Sequence, residues 1–188
     1  MSTTKPIKSY ADVQKLKDYF LKKGEYRNYL LVSVCLNSAL RICDVLKLKW
    51  SDMVSPSTGK IKEHLSITET KTGKNAVIRI NRSIHSALQL YIKHKGIEGE
   101  YVFEGKEGSP ITRMWAFKVI RNAGEAIGLE EKISPHSLRK TFGYHAVKNG
   151  TPPAIIMQIY NHSSYEVTKR YLGITQDEKD DVYIAVAL

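Results

Sequence analysis

The chain has 188 residues, 42% of them hydrophobic, with only 6 Pro and 12 Gly, which suits one domain with a well-buried core. Its apolar runs fall far short of the about 20 residues that cross a bilayer, and Met1 to Lys5 lack the apolar segment of a signal peptide, so a soluble cytoplasmic protein is expected. The net charge of +10 is lopsided: residues 1–95 hold 18 Lys and Arg against 7 Asp and Glu, residues 96–188 hold 11 against 12. A basic half attracts phosphate polymers, and with no basic amphipathic membrane helix in sight nucleic acid is the favoured partner.

In chain order, Ser9 and Asp12 have the spacing of a capping box, and Val13, Leu16 and Phe20 recur at helical spacing until Gly24. Residues 26–40 and 42–50 read as two helices joined at a tight corner, with Lys47 and Lys49 facing solvent. After a turn at 56–59, Leu65 and Ile67 alternate with polar neighbours, as do Ala76, Ile78 and Ile80, which predicts a β-hairpin with lysines at its tip. Helices follow at 83–95, 111–127, 135–148 and 152–160, with a short one at about 165–171. Cys35 and Cys43 share a helical region without metal-ligand spacing, so buried free thiols are expected. The fold class is mainly α with a small antiparallel β-sheet.

Four groups of residues could carry chemistry. His136 and Arg139 fall three apart at the start of a helix opened by Pro135, with Leu138, Phe142 and Ala146 on another face and Gly143 leaving room beside the guanidinium. An imidazole and a guanidinium together suit a phosphate oxyanion. Arg41 and Asp44 are again i and i+3, so the carboxylate could hold Arg41 or a nearby imidazole in place. Lys71 begins the hairpin turn, where a mobile ammonium could reach a DNA groove. His162 and Tyr171 lie nine residues apart at the ends of the last helical stretch. Each has a plainer reading when taken alone: a capped surface helix, an exposed ion pair, a solubilising loop charge, a packing tyrosine.

Taken together, their order and spacing resemble the tyrosine recombinase (phage integrase) family. Its signature is an Arg in a Leu-Arg-x-x-Glu/Asp context, a hairpin Lys, a His-x-Leu-Arg box, a later His or Trp, and a Tyr nine residues beyond it. The resemblance runs from about Tyr10 to Gly173 and implies the catalytic-domain fold of that family. It nominates Arg41, Lys71, His136, Arg139, His162 and Tyr171 as catalytic, with Asp44 as a buttress. Lys74, at the other end of the turn, rivals Lys71, and Tyr165 rivals Tyr171 but lacks the nine-residue spacing. The chain departs from the family in having Tyr160 and Asn161 where Leu-Gly is usual, and Ala39 where Gly is common. Asn is the other residue that tolerates a left-handed backbone.

The resemblance implies a site-specific recombinase or integrase in which Tyr171 attacks a DNA phosphodiester, leaving a 3′-phosphotyrosine and a free 5′-hydroxyl that later rejoins a new partner. Arg41, Arg139 and His162 would serve the phosphoryl oxygens, Lys71 would protonate the leaving 5′-oxygen, and His136 would accept or steer the Tyr171 proton. Neither a metal nor another cofactor is implied, and no Gly-x-x-x-x-Gly-Lys-Ser/Thr loop or His-Glu-x-x-His motif occurs. The expected partner is double-stranded DNA, bound by a homo-tetramer that is monomeric in isolation, on the nucleoid when bound. Alternatives are strand relaxation of the type IB topoisomerase kind and an inactive DNA-binding relative. Residues 1–188 read as a single catalytic domain without an N-terminal core-binding domain, which predicts weak, salt-sensitive binding. The tail at 172–188, acidic and then apolar, packs on its own domain or docks on a neighbouring subunit.

Overall fold

The computed structural model describes residues 4–162 and, beyond them, residues 168, 180, 183, 184 and 186. Helix α1 (Tyr10–Lys22) starts at Ser9, whose hydroxyl accepts the Asp12 N–H; the Asp12 carboxylate turns outward to Lys15, so half of the expected capping box forms. Helix α2 (Tyr26–Ser38) is apolar nearly all round, and it is the element against which α1, α5 and α7 pack.

The segment 42–50, expected as one helix, is two short ones. Helix α3 (Ile42–Val45) ends, the chain is extended at Lys49, and α4 (Trp50–Met53) follows. The break arises from a distant partner: Leu48 O accepts the Val102 N–H and the Trp50 N–H donates to Glu100 O, pulling this stretch out of helical geometry. The Asp52 carboxylate then accepts the Lys49 N–H and opens α4. Lys47 and Lys49 are exposed, as expected.

Strands β1 (His64–Thr68) and β2 (Asn75–Arg79) form one antiparallel hairpin in which Leu65 faces Ile78 and Ile67 faces Ala76. Leu65 is fully buried while Val77, on the other face, is exposed. Helices α5 (Arg82–Lys95), α6 (Arg113–Ala126), α7 (Pro135–Lys148) and α8 (Pro153–Ile159) complete the described elements. The helix expected at 165–171 lies outside the described residues except for Thr168, which is helical and buried. The cysteines are free; Cys35 is buried, and Cys43 is only half-buried. No helix among the described residues is long and apolar enough to cross a membrane.

Two features fix α7. Ser134 caps it reciprocally with Ser137, and Pro135 occupies its first turn. Residues 4–10 then strap it: the Ile7 N–H donates to Thr141 Oγ1 at 2.8 Å, Lys140 Nζ donates to Thr4 O, His145 Nε2 donates to Ile7 O, and Tyr10 packs on the His145 ring. The main core runs through α1, α2, α5 and α6, and a smaller apolar cluster of Ala39, Ile156 and Tyr160 joins α7 to α8.

Candidate active site

A cleft of about 780 Å³ opens between the α2–α3 corner, the hairpin tip and the start of α7. Arg41, Lys71, His136 and Arg139 all line it, with Cys43, Lys47 and Arg113 at its sides; Lys74 is not among its lining residues. Four positions separated by up to 98 residues of chain therefore share one wall.

Arg41 reaches the cleft from a sharp corner. Ala39, the cap of α2, has φ 58° and ψ 10°, a left-handed conformation that costs a residue with a Cβ about 1 kcal/mol and explains why glycine would suit it. Arg41 itself is extended, the N-cap of α3, and so stands outside the helix on which an i, i+3 pair with Asp44 was expected. Asp44 does not hold Arg41: its Oδ1 accepts the Thr70 N–H at 2.9 Å, which anchors the hairpin tip to α3. The carboxylate on Arg41 belongs to Glu69, whose Oε2 lies 2.9 Å from Arg41 Nη1. Burial would raise the Glu69 pKa, but the Thr72 hydroxyl and the Arg41 guanidinium outweigh it and hold the group below the usual carboxylate value.

Arg139 is the largest fully buried side chain of α7. Its Nη2 donates to Tyr160 O at 3.1 Å, its guanidinium lies 4.8 Å from the Tyr160 ring centroid, and the Tyr160 hydroxyl donates back to Arg139 O at 2.6 Å. The space that Gly143 leaves beside Arg139 is occupied by Tyr160: a Cβ at 143 would stand 2.4 Å from the Tyr160 hydroxyl oxygen. A ring at the end of an apolar helical stretch reads as packing, and nothing in its spacing points to Arg139.

His136 projects into the open cleft, yet the surrounding protein and the charges of Lys140, Arg139 and Arg41 lower its pKa to about 4. His162 is also lowered to about 4, by burial first, then by Arg139 and Arg41, with Glu69 opposing. Both rings are neutral at pH 7, ready to accept a proton or to take positive charge when an anion arrives. Asn161 has φ 52°, so the corner before His162 is made by the left-handed asparagine that the sequence suggested. The His162 ring stacks on Tyr160 at 5.1 Å, and its Nδ1 lies 3.0 Å from the hydroxyl of buried Thr168. Tyr171 lies outside the described residues.

Two arginines, the His136 imidazole and an exposed lysine line one cleft, with His162 stacked on Tyr160 behind Arg139, an arrangement whose donors suit the oxygens of a phosphate diester. The comparisons with known proteins agree with this chemistry. Residues 9–178 match the model described as phage integrase family. The chain is 40% identical over 184 residues to the "Probable integrase/recombinase YoeC" of Bacillus subtilis (strain 168), covering 97% of each. It spans 57% and 53% of the lengths of two further tyrosine recombinases. Among solved structures, its fold is similar to that of XerA recombinase, with a TM-score of 0.80 and 21% identity over 100% of this chain and 66% of that one. It is likewise similar to XerH site-specific recombinase bound to palindromic difH substrate in a post-cleavage complex, with a TM-score of 0.75 and 17% identity over 93% of this chain and 51% of that one. With the cation-lined cleft and a family match over nearly all its length, the chain belongs to the phage integrase family, the tyrosine recombinases.

Proposed function

We propose that this chain is a site-specific DNA recombinase that breaks and rejoins duplex DNA through a 3′-phosphotyrosine. The observation that carries the reading is the meeting of Arg41, Lys71, His136 and Arg139 in one cleft. In the proposed first step the Tyr171 oxygen bonds to phosphorus and the bond to the 5′-oxygen breaks. The phenolic proton passes to His136, and Lys71 gives a proton to the departing 5′-oxygen. Free tyrosine, with a pKa of about 10, is a poor nucleophile, so cations that favour its phenolate are part of the reaction. Charge on the equatorial oxygens is met by Arg41 and Arg139, helped by His162. The second step reverses the first, with the 5′-hydroxyl of a new strand displacing Tyr171, so bond energy is conserved between strands.

Exchange between two duplexes cuts four strands, and with one nucleophile per copy this calls for a homo-tetramer on DNA. Its place is the cytoplasm, on the nucleoid when bound. The test is covalent capture on denaturing gels. Arg139→Lys keeps a positive charge but loses the planar fork that rests on Tyr160, and is expected to slow adduct formation by about 100-fold or more. An Arg139→Lys variant as fast as wild type would sink the assignment.

A further inference from the structure

The reaction just described gives no task to a buried carboxylate beside the cleft. Glu69 is 1% exposed, beside Arg41 and two residues before Lys71. A carboxylate is costly to bury unless it is paired, and Glu69 Oε2 takes Arg41 Nη1 at 2.9 Å and the Thr72 hydroxyl at 2.7 Å, with the Asn161 side chain as a further partner of the carboxylate. Its main chain closes the turn around Lys71, with Gly73 N–H donating to Glu69 O and Glu69 N–H donating to Lys74 O, each at 2.9 Å. One residue thus grips both ends of the Lys71 turn through its backbone and the middle through its side chain, and fastens the whole to Arg41. Arg41 remains on the cleft wall with its other donors.

We propose that Glu69 is a positioning residue that sets Lys71, as the general acid, in register with Arg41. The proposal rests on the recombinase reading above. A carboxylate that only stabilised the fold would, when lost, slow cleavage whatever the leaving group. A carboxylate that acts through Lys71 matters only while the departing atom needs a proton. Replacing the bridging 5′-oxygen by sulfur removes that need, because a thiol has a pKa of about 8.5 and leaves as the thiolate.

The experiment uses the full chain in single-turnover cleavage of a nicked duplex built on a cleavage site recovered from wild-type adducts, with oxygen or sulfur at the bridging position. Glu69→Gln is expected to be slowed about ten- to 100-fold on oxygen and less than about threefold on sulfur, with Lys71→Ala showing the same pattern more strongly. Thr72→Val, which removes the hydroxyl bond and keeps the ion pair, is expected to show a smaller loss of the same kind, and it decides the matter if Glu69→Gln does not fold. Equal slowing on oxygen and sulfur, or no slowing, in a folded variant overturns the proposal while leaving the recombinase reading intact. Failure of sulfur to rescue Lys71→Ala removes the general acid and overturns the proposal with it. Absence of any wild-type adduct strikes the recombinase reading itself.

Discussion

At Gly143 a hydrogen stands where any other side chain would put a carbon 2.4 Å from the Tyr160 hydroxyl oxygen. That hydrogen lets the ring lie against α7, and the ring then carries both Arg139 and His162. Tyr160 is fully buried and hydrogen-bonded, so it cannot swing aside cheaply. Gly143→Ala is therefore expected to lower stability by about 1–3 kcal/mol in urea unfolding; an unchanged midpoint would show that the ring moves freely. The histidines set a pH dependence. His136 and His162 fall from the usual 6.5 to about 4, so between these values the folded chain binds fewer protons than the unfolded one. The stability they leave intact above about pH 6.5 is lost as pH falls towards 4. His136→Asn should flatten part of that slope in urea unfolding at stepped pH, and an identical slope would contradict the neutral assignment.

Helix α7 begins and ends where its residues say it should, because its signals are local: Ser134 and Pro135 open it and Asn149 with Gly150 closes it. Ser134→Ala removes the hydroxyl that caps Ser137 N–H and is expected to cost about 1 kcal/mol in the same unfolding measurement, with no change meaning that the strap at residues 4–10 alone holds the helix start. The segment 42–50 was not legible in this way. Its helical pattern is genuine, but Leu48 pairs with Val102, 54 residues away, and no local rule announces a partner at that distance. The hairpin was legible from its alternation, while its register, with Leu65 opposite Ile78, comes from the structure. Its attachment to α3 was not legible, because Asp44 reaches forward to the Thr70 N–H and not back to Arg41. The corner before His162 was legible from one residue, since Asn161 supplies the positive φ where glycine is usual.

For the molecule as a whole, the uneven charge points to nucleic acid, and the family resemblance carried by the ordered polar positions implies covalent phosphoryl transfer. Resemblance supplied the positions, and the fold brings Arg41, Lys71, His136 and Arg139 from three separate stretches to one cleft. What one chain does not disclose is which groups hold those positions in place. Glu69 meets Arg41 across 28 residues and Tyr160 meets Arg139 across 21, and each reads locally as an ordinary strand-end acid or packing ring. Tyr171 is named by its nine-residue spacing from His162 and lies outside the described residues, so the central claim rests on chemistry that can be observed directly. Wild type and Tyr171→Phe are mixed with nicked, heterogeneous genomic DNA, the DNA is digested, and the tyrosine peptides are weighed by mass spectrometry. The expected result is a nucleotide adduct on the Tyr171 peptide of wild type, with none in the variant, although both bind DNA. An adduct on another tyrosine, or none on any while binding persists, would contradict the account.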